Sequence, residues 1–343
     1  MVRLKDIALR AGVSVMTVSK VLRDAPDISA ATKARIKILT EEMGYVPDSL
    51  AQGLRTRTTR TIGLVISTVT NPIFARAILA IEEQAFASGY DLILAHTLND
   101  PQREESVIRR LLSRRVDGLI VSPVHRLSPN APIYNELAQS KTAVVILGHK
   151  SAFCAALPNV ETEDLLGSYA ATQHLLSLGH RRIAYFAGPT VVSWAQERLE
   201  GYRRALRDAN MEVDERLIFS GGATIEEGES AALQMLNESV DVTAIQASSD
   251  MTAVGIGTLL LKQGLKIPED LSLAGFGNIL ICEHFAVPLT TVRQPKFRLG
   301  TAAMEMMRAL LKQEPVAPRR LPCDLLARAS TAPPKISKPS VGA

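Results

Sequence analysis

Cysteine is scarce in this 343-residue chain: Cys154, Cys282 and Cys323 are odd in number and far apart. No pair has the spacing of a metal-ligand motif, so the three read as buried thiols rather than as a disulfide framework or a metal site. Long apolar runs are missing too; none approaches the ~20 residues that cross a bilayer. The start, Met1-Val-Arg-Leu-Lys-Asp-Ile7, interrupts any apolar stretch with charge, which argues against a signal peptide and sets the expectation of a cytoplasmic protein with no membrane partner. Glycine-rich phosphate loops are absent after every expected strand, and Gly255-Ile-Gly257 falls inside a helical pattern without a third glycine. The six histidines (His96, His125, His149, His174, His180, His284) form no ligand spacing, and there is no nucleophile elbow. No enzymatic activity, cofactor or metal is expected. Beyond Ser330 there is no leucine heptad to build a helical tetramerisation tail.

What is present begins at Leu4, in Leu4-Lys-Asp-Ile-Ala-Leu-Arg-Ala-Gly-Val-Ser-Val-Met-Thr-Val-Ser-Lys-Val-Leu22. Leu4, Ile7, Ala8 and Ala11 recur at helical spacing. Gly12 supplies the left-handed residue that ends a helix. Ser14 is placed to cap the next one. Val18, Val21 and Leu22 give the second helix a buried face, with Val15, Met16, Ser19 and Lys20 opposite. Two short helices about a tight turn, the second exposed, make a helix-turn-helix sized for the DNA major groove. A plain two-helix corner is the alternative. Charge favours the DNA reading: residues 1–60 hold 11 Lys/Arg against 6 Asp/Glu, and the remaining residues hold 28 against 29. The excess positive charge sits with the motif, as a phosphate backbone requires.

A chain of this length calls for two or three domains. Residues 1–46 read as a three-helix headpiece, its third helix running from Ala30 to Met43 with Ala34, Ile36, Ile38, Leu39 and Met43 toward the others. Residues 47–60 are a basic connector carrying Leu50, Ala51 and Leu54, too short for a stable helix alone. It is either a flexible linker or a helix that forms on DNA and inserts an apolar wedge into the minor groove. From Thr61 short apolar runs alternate with amphipathic helices, an α/β pattern of parallel sheets with helices on both faces. The pattern restarts near residue 161. Residues 61–330 therefore divide into lobe 1 (about 61–160 plus 291–319) and lobe 2 (about 161–290 plus 320–328), with returning segments as a hinge. One strand is expected over Arg320–Ala327 and a disordered tail over 331–343.

Across Val2 to about Ala332 the chain resembles the lactose-repressor/galactose-repressor (LacI/GalR) family of bacterial transcription regulators. The resemblance rests on Asp6-Ile-Ala, Ala11-Gly-Val-Ser, Thr17-Val-Ser, Gly44-Tyr-Val-Pro47, Ile62-Gly-Leu, Leu178-Gly-His-Arg-Arg-Ile-Ala184, Arg198-Leu with Gly201-Tyr202, Ile267-Pro-Glu-Asp270 and Pro288-Leu-Thr-Thr-Val-Arg293. It implies a headpiece, a hinge helix and a two-lobed core like that of periplasmic sugar-binding proteins. It also implies a homodimer on a pseudo-palindromic operator, with a small effector between the lobes. Position by position, it implies base reading by Val15, Met16 and Lys20, phosphate contacts from Ser14, Thr17 and Ser19, and a minor-groove wedge at Leu54 with Ala51 and Arg55 beside it. In the cleft it points to Phe74, Trp194, Arg198, Ser249 and Asp250.

Departures from the family pattern lie in the cleft. The acid of the usual Gly-Phe-Asp is replaced in Gly275-Phe-Gly-Asn278, and Gly148 stands at another position that can be acidic. With Arg198 kept and these acids gone, the expectation leans to an anionic effector, a sugar acid or sugar phosphate; a neutral sugar is the alternative. The expected function is an operator-binding regulator, most simply a repressor, controlled by such an effector. The alternatives are the same DNA binder controlled by a protein partner, or a sugar-binding protein without regulatory role. The sequence leaves open the operator, the regulated genes and the sign of the response.

Overall fold

A computed structural model of the protein describes residues 2–45 and 58–335. The chain divides into two compact units between Thr59 and Arg60. The expected hinge positions Ala51, Leu54 and Arg55 lie outside the described residues.

The first unit holds α1 (Leu4–Ala11), α2 (Val15–Val21) and α3 (Ala30–Glu42). Gly12 ends α1 at φ +64°, its N–H returning to Leu9 O and Ala8 O. Ser14 caps α2 by accepting from Thr17 N at 3.1 Å, and Ser29 caps α3 in the same way. Ile7, Ala8, Ala11, Val18, Val21 and Ile36 close the small core. Ala34 and Ile38 face solvent instead of the core. The helical period from Ile36 selects Leu39, Thr40 and Met43 for the buried side, and Thr40 is accommodated there by donating its hydroxyl to Ile36 O.

The second unit is two α/β lobes. Lobe 1 is built from β1 (Thr61–Ile66), α4 (Pro72–Ala87), β2 (Asp91–His96), α5 (Pro101–Ser113), β3 (Gly118–Val121), α6 (Pro132–Gln139), β4 (Ala143–Leu147) and β5 (Asn159–Thr162). Lobe 2 contains α7 (Asp164–Ser177), β6 (Ile183–Ala187), α8 (Ser193–Asp208), β7 (Ile218–Ser220), α9 (Ile225–Asn237), β8 (Ala244–Ala247), α10 (Asp250–Lys262), β9 (Ser272–Gly277), α11 (Ile281–His284) and β10 (Thr290–Arg293). The chain then returns to lobe 1 as α12 (Lys296–Leu311) and β11 (Arg319–Leu321), and ends in lobe 2 with β12 (Asp324–Leu326).

The lobe 1 sheet is ordered β11-β5-β4-β3-β1-β2 and is parallel throughout. The lobe 2 sheet is ordered β12-β10-β9-β8-β6-β7, parallel except for β12 on β10. Both sheets are covered on two faces, which is why their central strands are continuous apolar runs. In β1, Ile62, Leu64 and Ile66 pack toward α4 and α12, while Val65 packs toward α5 and α6.

Three expected boundaries are corrected. Strand β10 belongs to the lobe 2 sheet, where Thr290–Arg293 pairs with β9, so lobe 1 resumes only at α12. Arg320–Ala327 is not one strand: β11 joins lobe 1 and β12 joins lobe 2, with Pro322, which has no N–H to give a ladder, between them. Residues 331–335 are tied to lobe 2 rather than disordered. Thr331 Oγ1 meets His174 Nε2 at 2.9 Å, Ala332 O accepts from His180 Nε2 and Ser272 Oγ, and Lys335 pairs with Asp270 at 2.5 Å. Composition hid this, because the contacts are polar and are shared between the Ala332 backbone and the Thr331 and Lys335 side chains.

The three interlobe crossings lie together. Gln294 Nε2 donates to Thr162 Oγ1 at 2.9 Å, and Glu163 N donates to Leu321 O at 2.9 Å.

Candidate functional site

On the headpiece, Val15 and Met16 open α2 and are 45% and 69% exposed, although the same helix buries Val18 and Val21 completely. Apolar side chains held out in water on the first turn of a helix suit groove-floor contacts such as thymine methyls. Ser14 and Thr17 are joined by their hydroxyls at 2.9 Å, fixing the cap. Ser19 O accepts from Arg23 Nε at 3.0 Å. Lys20 is not free: its Nζ lies 2.5 Å from Asp27 Oδ2, and this lysine holds the Asp27 carboxyl below the usual carboxylate range. The six positions singled out from the sequence thus share one short helix and its cap, with the only charged one among them paired to the following loop.

The second site is a cavity of about 400 Å³ between the lobes, lined by Phe74, Trp194, Arg198, Ser249 and Asp250 among others. All five expected cleft residues therefore come together, but their chemistry differs from the expectation. Arg198 is 5% exposed and Asp164 is fully buried against it. Arg198 Nε and Nη2 reach Asp164 Oδ2 at 2.8 and 2.6 Å, and Nη1 donates to Ser248 O at 2.6 Å. The guanidinium also stacks between Phe276, 3.7 Å from the ring centroid, and Trp194 at 4.4 Å. The lean toward an anionic effector rested on an arginine without an acidic counterpart. Asp164 supplies that counterpart, so the charge is already balanced inside the fold.

Ser249 caps α10, accepting from Thr252 N at 3.2 Å. Asp250, buried at the first turn of α10, accepts from Thr291 Oγ1 at 2.5 Å and from Ile279 N at 3.0 Å. Burial raises the Asp250 carboxyl pKa, opposed by these bonds and by nearby Lys296. Lys296, at the start of α12 in lobe 1, crosses to lobe 2 and donates to Asn278 O at 2.9 Å and to Gly277 O. Gly277 lies between them at φ +135°, and a Cβ there would stand 2.9 Å from Asp250 Oδ2. A side chain at 277 would therefore be strained in this chain: it would meet the Asp250 carboxylate in a backbone conformation that glycine tolerates best. Carboxylates and cations line this cleft in neighbouring pairs.

Sequence reading missed Asp164, Phe276, Gln294, Lys296, His125 and His149, which all line the cavity. His149 Nε2 lies 3.3 Å from Glu197 Oε2 of α8, and Glu197 also binds Arg320 of β11 at 2.6 Å. The bridge spans the lobes. Burial opposes the imidazolium form of His149, but Glu197, Asp164 and Glu161 outweigh it and raise its pKa. Phe276 sits inside the Gly275-Phe-Gly-Asn278 stretch on β9; no spacing signal marks the others, because each is set by a crossing, a loop or a helix start that only the fold brings to the cleft. Among the described residues, no group of three or more His, Cys, Asp or Glu could hold a metal ion, and no helix is long and apolar enough to cross a membrane.

Comparison with known proteins agrees across both units. Residues 3–48 match the family described as bacterial regulatory proteins, lacI family, and residues 59–329 match periplasmic binding proteins and sugar binding domain of LacI family. The HTH-type transcriptional repressor PurR of Vibrio atlanticus (strain LGP32) is 33% identical over 92% of this chain and 93% of its own length. The ribose operon repressor of Escherichia coli (strain K12) is 32% identical over 94% of this chain and 96% of its own. Among solved structures, the lac repressor dimer bound to operator and the anti-inducer ONPF superposes with a TM-score of 0.86, at 26% identity, over 96% of this chain and 99% of that one.

Proposed function

This chain belongs to the LacI family of bacterial regulatory proteins, and we propose that it is a cytoplasmic repressor that binds a palindromic operator as a homodimer and answers to a neutral, sugar-like effector in the interlobe cleft. The observation that carries the effector class is the Arg198–Asp164 pair. An anionic ligand would have to compete with a buried carboxylate already bonded twice by the guanidinium. A neutral polyol needs only hydrogen bonds and an apolar face. Phe74 offers such a face, whereas Trp194 and Phe276 each have a ring face against Arg198. One relative is named for a ribose operon.

A second copy is supported by lobe 1. Strand β2 is the sheet edge, Leu94 on it is 38% exposed, and Leu79 and Phe86 stand out from α4 seven residues apart. An apolar stripe beside an open edge is a surface that association covers. Two recognition helices then read two half-sites.

Operator selection from random duplex DNA tests the reading, repeated with separate pools of neutral sugars, sugar acids and sugar phosphates. A palindrome whose recovery changes only with the neutral pool is expected. A response to acids or phosphates alone would overturn the effector class, and no enriched sequence would overturn the operator reading.

A further inference from the structure

The irregular segment between β3 and α6, residues 122–131, has an unusual foundation: a fully buried carboxylate. Glu104 of α5 is 0% exposed, and its Oε1 accepts from Val124 N at 2.6 Å and from Tyr134 Oη at 2.7 Å. Its Oε2 takes Arg126, whose Nε also donates to Val124 O at 3.1 Å and whose guanidinium lies 4.8 Å from the Phe153 ring centroid. Residues 124 and 126 are therefore both clamped. The residue between them, His125, is left facing the cleft.

His125 is held a third time by its own ring. Nδ1 lies 2.9 Å from Ser151 Oγ. If the serine donates there, Nε2 carries the proton and is a donor; if it accepts, Nε2 is an acceptor. Either way Nε2 offers one directed hydrogen bond beyond the one the ring makes to Ser151. Burial, with His149 and Arg126 nearby, pushes the His125 pKa down to about 4, so the ring is neutral at working pH. Much of the surrounding wall is occupied by the fold itself. Arg198 binds Asp164 and Ser248, Ser249 caps α10, and Asp250 holds Thr291 and Ile279.

We propose that His125 is a specificity-determining residue of this cleft, presenting Nε2 to a single hydroxyl of the neutral effector. This rests on the neutral-sugar reading above and adds the group that chooses among such sugars. A rigid, pre-aimed hydrogen-bonding atom rejects an analogue lacking its partner, because the atom is then desolvated and unpaired. The ion pair of buried Glu104 with half-buried Arg126 under the loop supplies the rigidity that such discrimination needs.

The test uses the full-length wild type, His125→Asn and His125→Leu, titrated calorimetrically with a panel of neutral aldopentoses and aldohexoses and with single-deoxy analogues of whichever binds. Wild type should disfavour one deoxy analogue by about tenfold or more, the loss of one well-made hydrogen bond. His125→Leu should bind that analogue and the parent sugar equally while discriminating the other deoxy positions as wild type does. His125→Asn should recover part of the lost preference. Unchanged discrimination at every position in His125→Leu would overturn this inference alone. Failure of every sugar to bind wild type would overturn the neutral-sugar reading and the inference with it.

Discussion

Replacing Arg198 with leucine separates a structural guanidinium from one kept for an anionic ligand. The side chain donates two charge-assisted bonds to Asp164 and one to Ser248 O, and is almost wholly removed from water. Leucine keeps much of the apolar contact with Trp194 and Phe276 but leaves the Asp164 carboxylate buried and without its cation. Breaking a buried pair from one side costs about 3–5 kcal/mol, more than one good hydrogen bond. For a urea slope near the upper end of the usual range, this lowers the unfolding midpoint by roughly 1–2 M. The double variant Arg198→Leu with Asp164→Leu removes both charges and should regain much of that loss, because no orphan carboxylate remains. The measurement is urea unfolding of ligand-free protein followed by far-UV circular dichroism. A single variant within about 0.5 kcal/mol of wild type would refute the reasoning. Arg198 would then be a ligand group awaiting its anion, and the charge balance drawn for the cleft would be wrong.

Other expected outcomes follow from the same geometry. Gly277→Ala places a side chain at φ +135° and 2.9 Å from Asp250 Oδ2, and should destabilise the core by about 1–3 kcal/mol in the same unfolding assay; a neutral effect would show that this turn can relax. The His149–Glu197 bridge predicts a pH dependence. The folded pKa of His149 is raised, so the stability it contributes is complete below its unfolded value of about 6.5 and is lost as pH rises through the folded value. Glu197, Glu161 and Asp164 attract that charge, Arg320 competes for Glu197, and His125 is neutral in this range. Urea midpoints at pH 6 and 8 should therefore differ more for wild type than for His149→Gln, and equal slopes would remove the bridge. On the headpiece, Lys20→Ala should cost about 1–3 kcal/mol at one base pair of the selected operator and relax discrimination there. Equal loss on all sequences would make Lys20 a phosphate contact.

The elements of this fold were legible wherever one local signal sufficed. Gly12 and Ser14 bound the turn of the helix-turn-helix by backbone freedom and capping, and the continuous runs of β1 and β4 mark a sheet covered on both faces. Strand β5 escaped because Asn159-Val-Glu-Thr162 has one apolar residue and lies at a crossing, where pairing with β4 and β11 supplies what composition does not. The same distinction divides the cleft. Arg198 and Asp250 were visible through motif positions, yet their state depends on partners from other elements: Asp164 from the first turn of α7, Thr291 and Lys296 from either side of the second crossing, and Ile279 from the turn after β9. An arginine's position in the sequence shows where a charge is placed, not whether the fold has already neutralised it. Here the proposed effector class rests on that question. Asp164 bonds Arg198 in the cleft and shares Thr162 and Gln294 at the hinge, so a ligand that shifts the guanidinium also pulls on the crossings between the lobes. Asp164 is thus a shared partner of the cleft and the crossings, and its sequence context, the first position of a helix, announces nothing but a helix start.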